Sequence, residues 1–200
     1  MNTILVTGGA GFIGSHTLIK LACSGYNLVV LDNLCNSTRS VIKTTSLISN
    51  SFFNFYHGDI RDNDMLEKIF LNHKIDTIVH FAGLKSVPES EKFPLLYYDN
   101  NVFGTINLLK YASKFEVKKF IFSSSATVYG NPSTDCYKED LPLLPANTYG
   151  ETKAMIEKIL IDLYNSNKKK LSVAILRYFN PVGAHNSGLI GENPKGLPNN

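Results

Sequence analysis

The sequence predicts an α/β protein built as a doubly wound parallel sheet, and three observations predict it. Short runs rich in β-branched and aromatic residues alternate with segments of helix length; the runs are nearly continuous in apolar residues; and a glycine-rich turn follows the first run directly. Continuous apolar strands belong to sheets covered on both faces, and helices of crossover length join parallel neighbours.

Residues 3–8, "TILVTG", read as a buried strand, and a helical stretch from 12 to 24 follows. Residues 27–33, "NLVVLDN", form a second strand and 53–59, "FNFYHGD", a third. A helix over 62–73 leads to a fourth strand at 76–83, "DTIVHFAG", and a long helix over 94–115 leads to a fifth at 118–125, "KKFIFSSS". A loop punctuated by Pro132, Pro142 and Pro145 precedes a helix that begins in "NTYGETKAMIEKIL" (147–160). The sixth strand is 171–180, "LSVAILRYFN", after which Gly, Pro and Asn prevail and apolar residues become sparse. No internal repeat or low-complexity tract interrupts this order.

With 200 residues, 44% of them apolar and 18% charged, the chain reads as one globular domain with a substantial core. A net charge of +3 is too small to imply nucleic acid or an anionic membrane, and the lysines at 118–119 and 168–170 read as solvated loop charges. No stretch approaches the roughly 20 apolar residues of a membrane span, and the N-terminus lacks the basic and apolar regions of a signal peptide. Cys23, Cys35 and Cys136 are odd in number and show no CxxC spacing, which points to reduced thiols in a cytoplasm. His16, His57, His73, His80 and His185 lack zinc-ligand spacing, so no metal is expected.

The turn "VTGGAGFIGSH" contains GxGxxG as Gly9, Gly11 and Gly14, and GxxGxxG as Gly8, Gly11 and Gly14. Its context is a strand before, a helix after, and Asp32 at the end of the next strand about 20 residues on, the Rossmann-type pattern for a dinucleotide. Glycines let backbone N–H groups approach a pyrophosphate at the positive end of a helix. A carboxylate at Asp32 accepts hydrogen bonds from ribose hydroxyls and repels a 2′-phosphate, favouring NAD over NADP; Arg39, a few residues later, argues the other way. Asp59 after the third strand reads as an adenine contact or as a strand-end cap.

Tyr149 and Lys153 lie four apart at the start of a helix, so they share a face. A free phenol has a pKa near 10. An ammonium about 4 Å away, at an effective dielectric near 20, supplies at most about 4 kcal/mol towards ionising it. Oxidised nicotinamide pushes the same way, towards the range of a general base. The fifth strand ends in serine hydroxyls at the carboxyl edge of the sheet, where open α/β folds bind ligands, and one of them can hold the substrate oxygen.

The glycine turn, the serines at 123–125 and Tyr149-x-x-x-Lys153 together resemble the extended short-chain dehydrogenase/reductase superfamily. More narrowly, "DNLCNS" (32–37), "HFAGLKSV" (80–87), "YYDNNVFGT" (97–105), "FIFSSSATVYG" (120–130), "YGETK" (149–153) and "LRYFNPVGAH" (176–185) are similar to the UDP-glucose 4-epimerase family. The likeness runs over essentially all 200 residues.

The resemblance implies a tightly held NAD and the interconversion of UDP-glucose and UDP-galactose. Phe12 and Ile13 would line the pyrophosphate; Asp32, Asn33, Asn36 and Ser37 would hold the adenosine side; Asp59 and Ile60 would flank the adenine. Phe81, Ala82, Gly83 and Lys85 would run beneath the cofactor with Asn100 near it. Ser125 would be the catalytic serine and Tyr149 the base, with Lys153 binding the nicotinamide ribose. Phe179 would pack by the nicotinamide, and Asn180 and Asn200 would reach the nucleotide-sugar. Hydride would leave sugar C4, the 4-keto sugar would turn over, and hydride would return to its other face. Related dehydratases carry an acid pair after the fifth strand, where this chain has Ala126 and Thr127. The resemblance further implies a homodimer through the helices near 94–115 and 149–167. It divides the chain into an NAD-binding domain (1–180) and the truncated start of a substrate-binding segment (181–200), the rest of the C-terminal substrate domain being largely absent.

Outside these sets, Cys35 reads as a packing thiol, His80 as a satisfied core histidine, and Tyr97 and Tyr98 as packing or subunit contacts.

Overall fold

The computed structural model describes residues 2–134, 136–166 and 171–193. Six strands, β1 (Thr3–Thr7), β2 (Asn27–Asp32), β3 (Asn54–His57), β4 (Thr77–His80), β5 (Lys119–Ser125) and β6 (Ser172–Tyr178), form one sheet. Every neighbouring pair is parallel, in the order β3-β2-β1-β4-β5-β6. This is the doubly wound arrangement expected from the sequence. The chain winds outwards from β1 in one direction and from β4 in the other.

Alternate residues of the central strands feed two cores. Leu5, Val29, Leu31, Ile78, Phe120 and Phe122 face one way, against α3 (Asn63–Asn72), α6 (Gly104–Lys114) and α7 (Thr148–Ser166). Ile4, Val6, Leu28, Val30 and Val79 face the other way, against α1 (Phe12–Cys23) and α2 (Arg39–Ser49). Because both faces are covered, inward and outward positions are apolar alike, which is why these strands read as unbroken hydrophobic runs.

Two helical features differ from the sequence reading. Residues 39–49 carry no expected element, yet they form α2. "RSVIKTTSLIS" is rich in Ser, Thr and β-branched residues of modest helix propensity, and docking of Ile42 and Thr45 on α1 and the sheet decides its state. The long helix expected over 94–115 is composite. A short α4 (Val87–Lys92) precedes α5 (Pro94–Tyr97), and a π-helical turn at Tyr98–Phe103 separates α5 from α6. Asn100 and Asn101, both buried, lie in that wide turn.

His80 is the satisfied core histidine that the sequence suggested. Thr105 Oγ1 donates to the Asn101 carbonyl (2.6 Å), so it accepts from His80 Nε2–H (2.8 Å), which leaves Nδ1 to accept from Thr7 Oγ1 (2.7 Å). Burial, with the Lys153 ammonium behind it, holds the ring's pKa down to about 3, so it is neutral. Tyr97 is fully buried, with its hydroxyl donating to Glu89 (2.7 Å); Lys118 and Lys119 are exposed. The lysines at 168–170 lie outside the described residues.

The start of α7 is tied down from two sides. Asn147 Oδ1 accepts from Gly150 N–H (2.8 Å). From α4, Glu91 accepts from Thr148 N–H (2.7 Å) and the fully buried Ser90 hydroxyl accepts from Tyr149 N–H (3.1 Å). Side chains thus satisfy donors that the helix leaves unpaired. Ser90→Ala is expected to lower the unfolding free energy by about 1 kcal/mol, read as a shift of the urea midpoint at unchanged slope.

Candidate active site

The strand order reverses between β1 and β4, and the crevice beyond their carboxyl ends is where open α/β sheets bind ligands. The turn after β1 fits that crevice because it lacks side chains. Gly8 has φ +70°, and a Cβ there would stand 2.5 Å from the Ala82 nitrogen; a Cβ on Gly14 would stand 2.3 Å from the Gly8 carbonyl oxygen. The first turn of α1, with Phe12 and Ile13 half-buried, opens at Gly11 with no side-chain cap and no acidic residue, so its positive end is left for an anion. This cradle of bare backbone suits a pyrophosphate.

The structure brings the expected adenosine-side residues together. Asp32 takes the Ala10 N–H on one carboxylate oxygen (2.9 Å) and the Leu34 N–H on the other (2.8 Å), so it braces the glycine turn. Burial pushes its pKa up against those two hydrogen bonds. Ser37 donates to the Ala10 carbonyl (2.5 Å), and the Asn33 amide donates to Asp59 (3.0 Å). Asp59 is also gripped by Arg61, through Nη2 at 2.8 Å and Nε at 2.9 Å, and Arg61 reaches on to Asp99 (2.5 Å). The Arg61 guanidinium, outweighing partial burial, holds the Asp59 carboxyl at about 2. Arg39 stacks over the Phe55 ring at 5.5 Å. Asn36, Ile60, Phe81, Ala82, Gly83 and Asn100 complete the same cleft.

Beyond Gly83 lie the residues expected to carry proton transfer. A Cβ on Gly83 would stand 3.6 Å from Lys153 Nζ. β5 ends at Ser125, whose Oγ accepts from the Thr127 N–H (3.2 Å) and the Thr127 hydroxyl (3.0 Å). Thr127 thus supplies both hydrogen bonds that Ser125 Oγ accepts, and the Ser125 hydroxyl neighbours the Tyr149 phenol. Burial pushes that phenol's pKa up, and the Ser125 hydrogen bond pulls it down.

The ammonium has a backbone partner besides the ring it faces. Lys153 is buried; its Nζ donates to the Ser123 carbonyl (2.9 Å), stands 4.8 Å over the Phe122 ring and lies 5.7 Å from the Tyr149 ring centre. The expected sharing of one helix face by Tyr149 and Lys153 is seen in the ammonium over the Tyr149 ring, with one of its three donors on the Ser123 carbonyl. Three further expected residues are not among those that line the cleft. Lys85 pairs with Glu192 at the surface (2.9 Å), and Phe179 and Asn180, just past β6, are exposed, Phe179 leaning on Tyr137. Asn200 lies outside the described residues.

Sequence reasoning missed four groups that build this end of the site. Asn101 donates from its amide to the Leu84 carbonyl (3.0 Å) and Thr152 Oγ1 (3.2 Å) and accepts from Leu84 N–H (2.8 Å), strapping the loop after β4 to α7. Behind Lys153, fully buried Glu157 accepts from Ser124 Oγ (2.5 Å) and from Arg177 Nη2 (2.7 Å). A signal for Glu157 existed: Lys153, Ile156, Glu157 and Leu160 form one buried helical face, so a carboxylate falls among core positions. No comparable signal marks Arg177 or Ser124.

Among the described residues no helix is long and apolar enough to cross a membrane. A model of the NAD dependent epimerase/dehydratase family matches residues 4–194. The chain belongs to that family. It is 52% identical over 197 residues to a UDP-glucose 4-epimerase of Bacillus subtilis, a match covering 98% of this chain and 58% of the relative. It is 50% identical to a UDP-glucose 4-epimerase of Neisseria meningitidis, covering 100% of this chain and 59% of the relative. Among solved structures, the UDP-glucose 4-epimerase of Bifidobacterium longum in complex with NAD+ and UDP is similar with a TM-score of 0.96 at 47% identity, covering 100% of this chain and 59% of that one. The Stenotrophomonas maltophila enzyme, with bound NAD and formylated UDP-arabinopyranose, gives 0.96 at 45% identity with the same coverage. The chain thus spans 58–59% of the length of these relatives.

The Asp59 cluster generates a pH dependence with a definite sign. Its folded pKa lies below the ordinary 3.8, so the stability it lends is complete above about pH 4 and is lost as pH falls towards about 2. The urea midpoint is expected to fall across that window, and Asp59→Asn is expected to flatten this limb of the profile.

Proposed function

We propose that this chain carries the NAD-binding domain and the proton-transfer groups of a UDP-glucose 4-epimerase, residues 1–180 forming that domain and 181–200 beginning a substrate-binding segment. The observation that carries the reading is Ser125, held by Thr127 and neighbouring the Tyr149 phenol, beside a cleft suited to a dinucleotide. Family membership and relatives named as UDP-glucose 4-epimerases support the substrate class, and relatives solved with NAD support the cofactor.

In this reading the glycine turn and the start of α1 hold the pyrophosphate. Asp32, Asn33, Asn36 and Ser37 hold the adenosine side, with Asp59 and Ile60 at the adenine. Phe81, Ala82 and Gly83 form the floor, with Lys85 and Asn100 beside it. Bound NAD supplies the acceptor, and then the donor, of a hydride at sugar C4. Tyr149 takes the proton of the sugar 4-hydroxyl, and Ser125 steadies the same oxygen. Lys153 holds the nicotinamide ribose and opposes the burial that disfavours ionised Tyr149. Rotation of the 4-keto sugar before the proton and hydride return inverts C4. Phe179, Asn180 and Asn200 serve the nicotinamide and nucleotide-sugar side.

A 4,6-dehydratase on this scaffold needs an acid and a base after β5. Ala126 has no such group, and the Thr127 hydroxyl is spent on Ser125. The reading also takes the protein as cytoplasmic and as a homodimer. Exposed Leu95, Leu96 and Phe103 before α6, with Met155 and Ile161 on α7, support helix pairing between copies.

The test incubates the purified chain with UDP-galactose and NAD and separates UDP-glucose from UDP-galactose. Interconversion is expected, reduced at least about 100-fold in Tyr149→Phe, the usual scale for losing a general base. Bound NAD without turnover would instead mark a cofactor-binding portion, and a 4-keto-6-deoxy product would mark a dehydratase. Sedimentation of the same sample is expected to give twice the 22.2 kDa chain mass, and Leu95→Glu is expected to return it to the monomer.

A further inference from the structure

We propose that Glu157 is a positioning residue for the proton-transfer groups: its carboxylate, held by Arg177 and Ser124, fixes the end of β5 against α7 on the buried helix face that carries Lys153 one turn away. The proposal rests on the reading of Lys153 as the lysine of that site, and its test is independent of turnover.

The geometry begins with burial. Glu157 is fully buried, and a carboxylate there is stable as an anion only with donors around it. Ser124 Oγ (2.5 Å) and Arg177 Nε (3.1 Å) meet one oxygen; Arg177 Nη2 (2.7 Å) and Nε (3.2 Å) meet the other. Ser124 directly precedes Ser125 and sits opposite Arg177 in the β5–β6 register. The guanidinium's remaining arm reaches the Tyr129 hydroxyl (2.8 Å) and the Glu139 carbonyl (3.0 Å). One carboxylate therefore joins α7, β5 and β6, and through Arg177 the turn that carries Thr127.

Stability alone is a poor reason for this arrangement, since a buried ion pair is often no better than an apolar pair of equal volume. A demand from the neighbourhood is a better one, and Lys153 supplies it. It follows the buried face of α7 four residues before Glu157 and lies at 5% exposure with its ammonium on the Ser123 carbonyl. The groups around it are Tyr149 and Glu157 from α7, His80 from β4, Arg177 from β6 and the neutral Asn101 amide beside Gly83. His80 is neutral, and the phenol is protonated in the resting chain. Burial pushes Lys153 down to about 8, and Glu157 is the charge that opposes it. Without that carboxylate burial would act on the lysine unopposed and push its pKa lower still, weakening the positive charge beside the phenol.

The experiment titrates Lys153 in the 200-residue chain by the NMR shift of its side-chain ¹³Cε, assigned by its loss in Lys153→Met. Glu157→Gln is expected to lower the lysine's pKa by about 1 unit or more, the usual effect of removing a nearby opposite charge. In case that variant fails to fold, the paired change Glu157→Met with Arg177→Met replaces the ion pair by apolar side chains, and a smaller downward shift is expected, because a cation leaves with the carboxylate. A lysine that titrates as in the parent in either folded variant overturns the proposal, because a purely structural Glu157 would change the urea midpoint and leave the titration alone. The titration needs neither NAD nor sugar, so an inactive parent would count against the epimerase reading and leave this result standing.

Discussion

Close approach of two stretches of main chain is the constraint on which the structure depends. Where β1 ends, the Thr7 carbonyl accepts both the Phe81 and Ala82 N–H groups of the chain leaving β4 (2.9 and 3.1 Å). The turn that follows must then pass Ala82 with no room for a side chain and with a positive φ, which Gly8 alone supplies at no steric cost. From that contact the strand order diverges to the two sides, α1 starts at a fixed angle with its positive end towards the crevice, and the cleft acquires its floor. Gly14 repeats the constraint one helical turn on, against the carbonyl of Gly8.

The second organising feature is a chain of charges kept out of water. Lys153, Glu157 and Arg177 lie behind the carboxyl end of β5, and the neutral His80 lies next to them. Each is satisfied by partners from different elements: Lys153 by the β5 backbone, Glu157 by β5 and β6, Arg177 by the turn and loop after Ser125, His80 by β1 and α6. Groups arranged in this way gain orientation more than stability, because desolvation takes back much of the attraction. The same low-dielectric surroundings make the Tyr149 phenol harder to ionise, and the hydroxyl of Ser125 acts against that burial.

Family membership and geometry bear on different parts of the chain. The cleft from Gly8 to Asn100 is assembled from residues that brace one another directly, as Asp32 does the glycine turn and Asn33 does Asp59. Past β6 the support thins: Phe179 and Asn180 are exposed, and the chain spans 58–59% of the length of its relatives. The cofactor side is thus built within this fold, and the sugar side depends on the proposal.

The sequence by itself determined the six strands, their parallel sense and the glycine turn, because each is written in local pattern: continuous apolar runs, helix-length spacers and residues that tolerate a positive φ. It also picked out Asp32 and Asp59, each at the end of a strand, which the fold brings to one cleft. Only the tertiary structure decided the state of 39–49, the wide turn that buries Asn100 and Asn101, the station of the Lys153 ammonium and the pairing of Glu157 with Arg177. The reason is the same in each case. Weak local propensity in 39–49 is overruled by docking, and a π turn leaves no periodic signature of its own. The Ser123 carbonyl that accepts from Lys153 is a backbone atom 30 residues earlier, and Arg177 lies 20 residues beyond Glu157 on a different element. Helical spacing states which side chains share a face; competition among partners from other strands decides what those side chains touch.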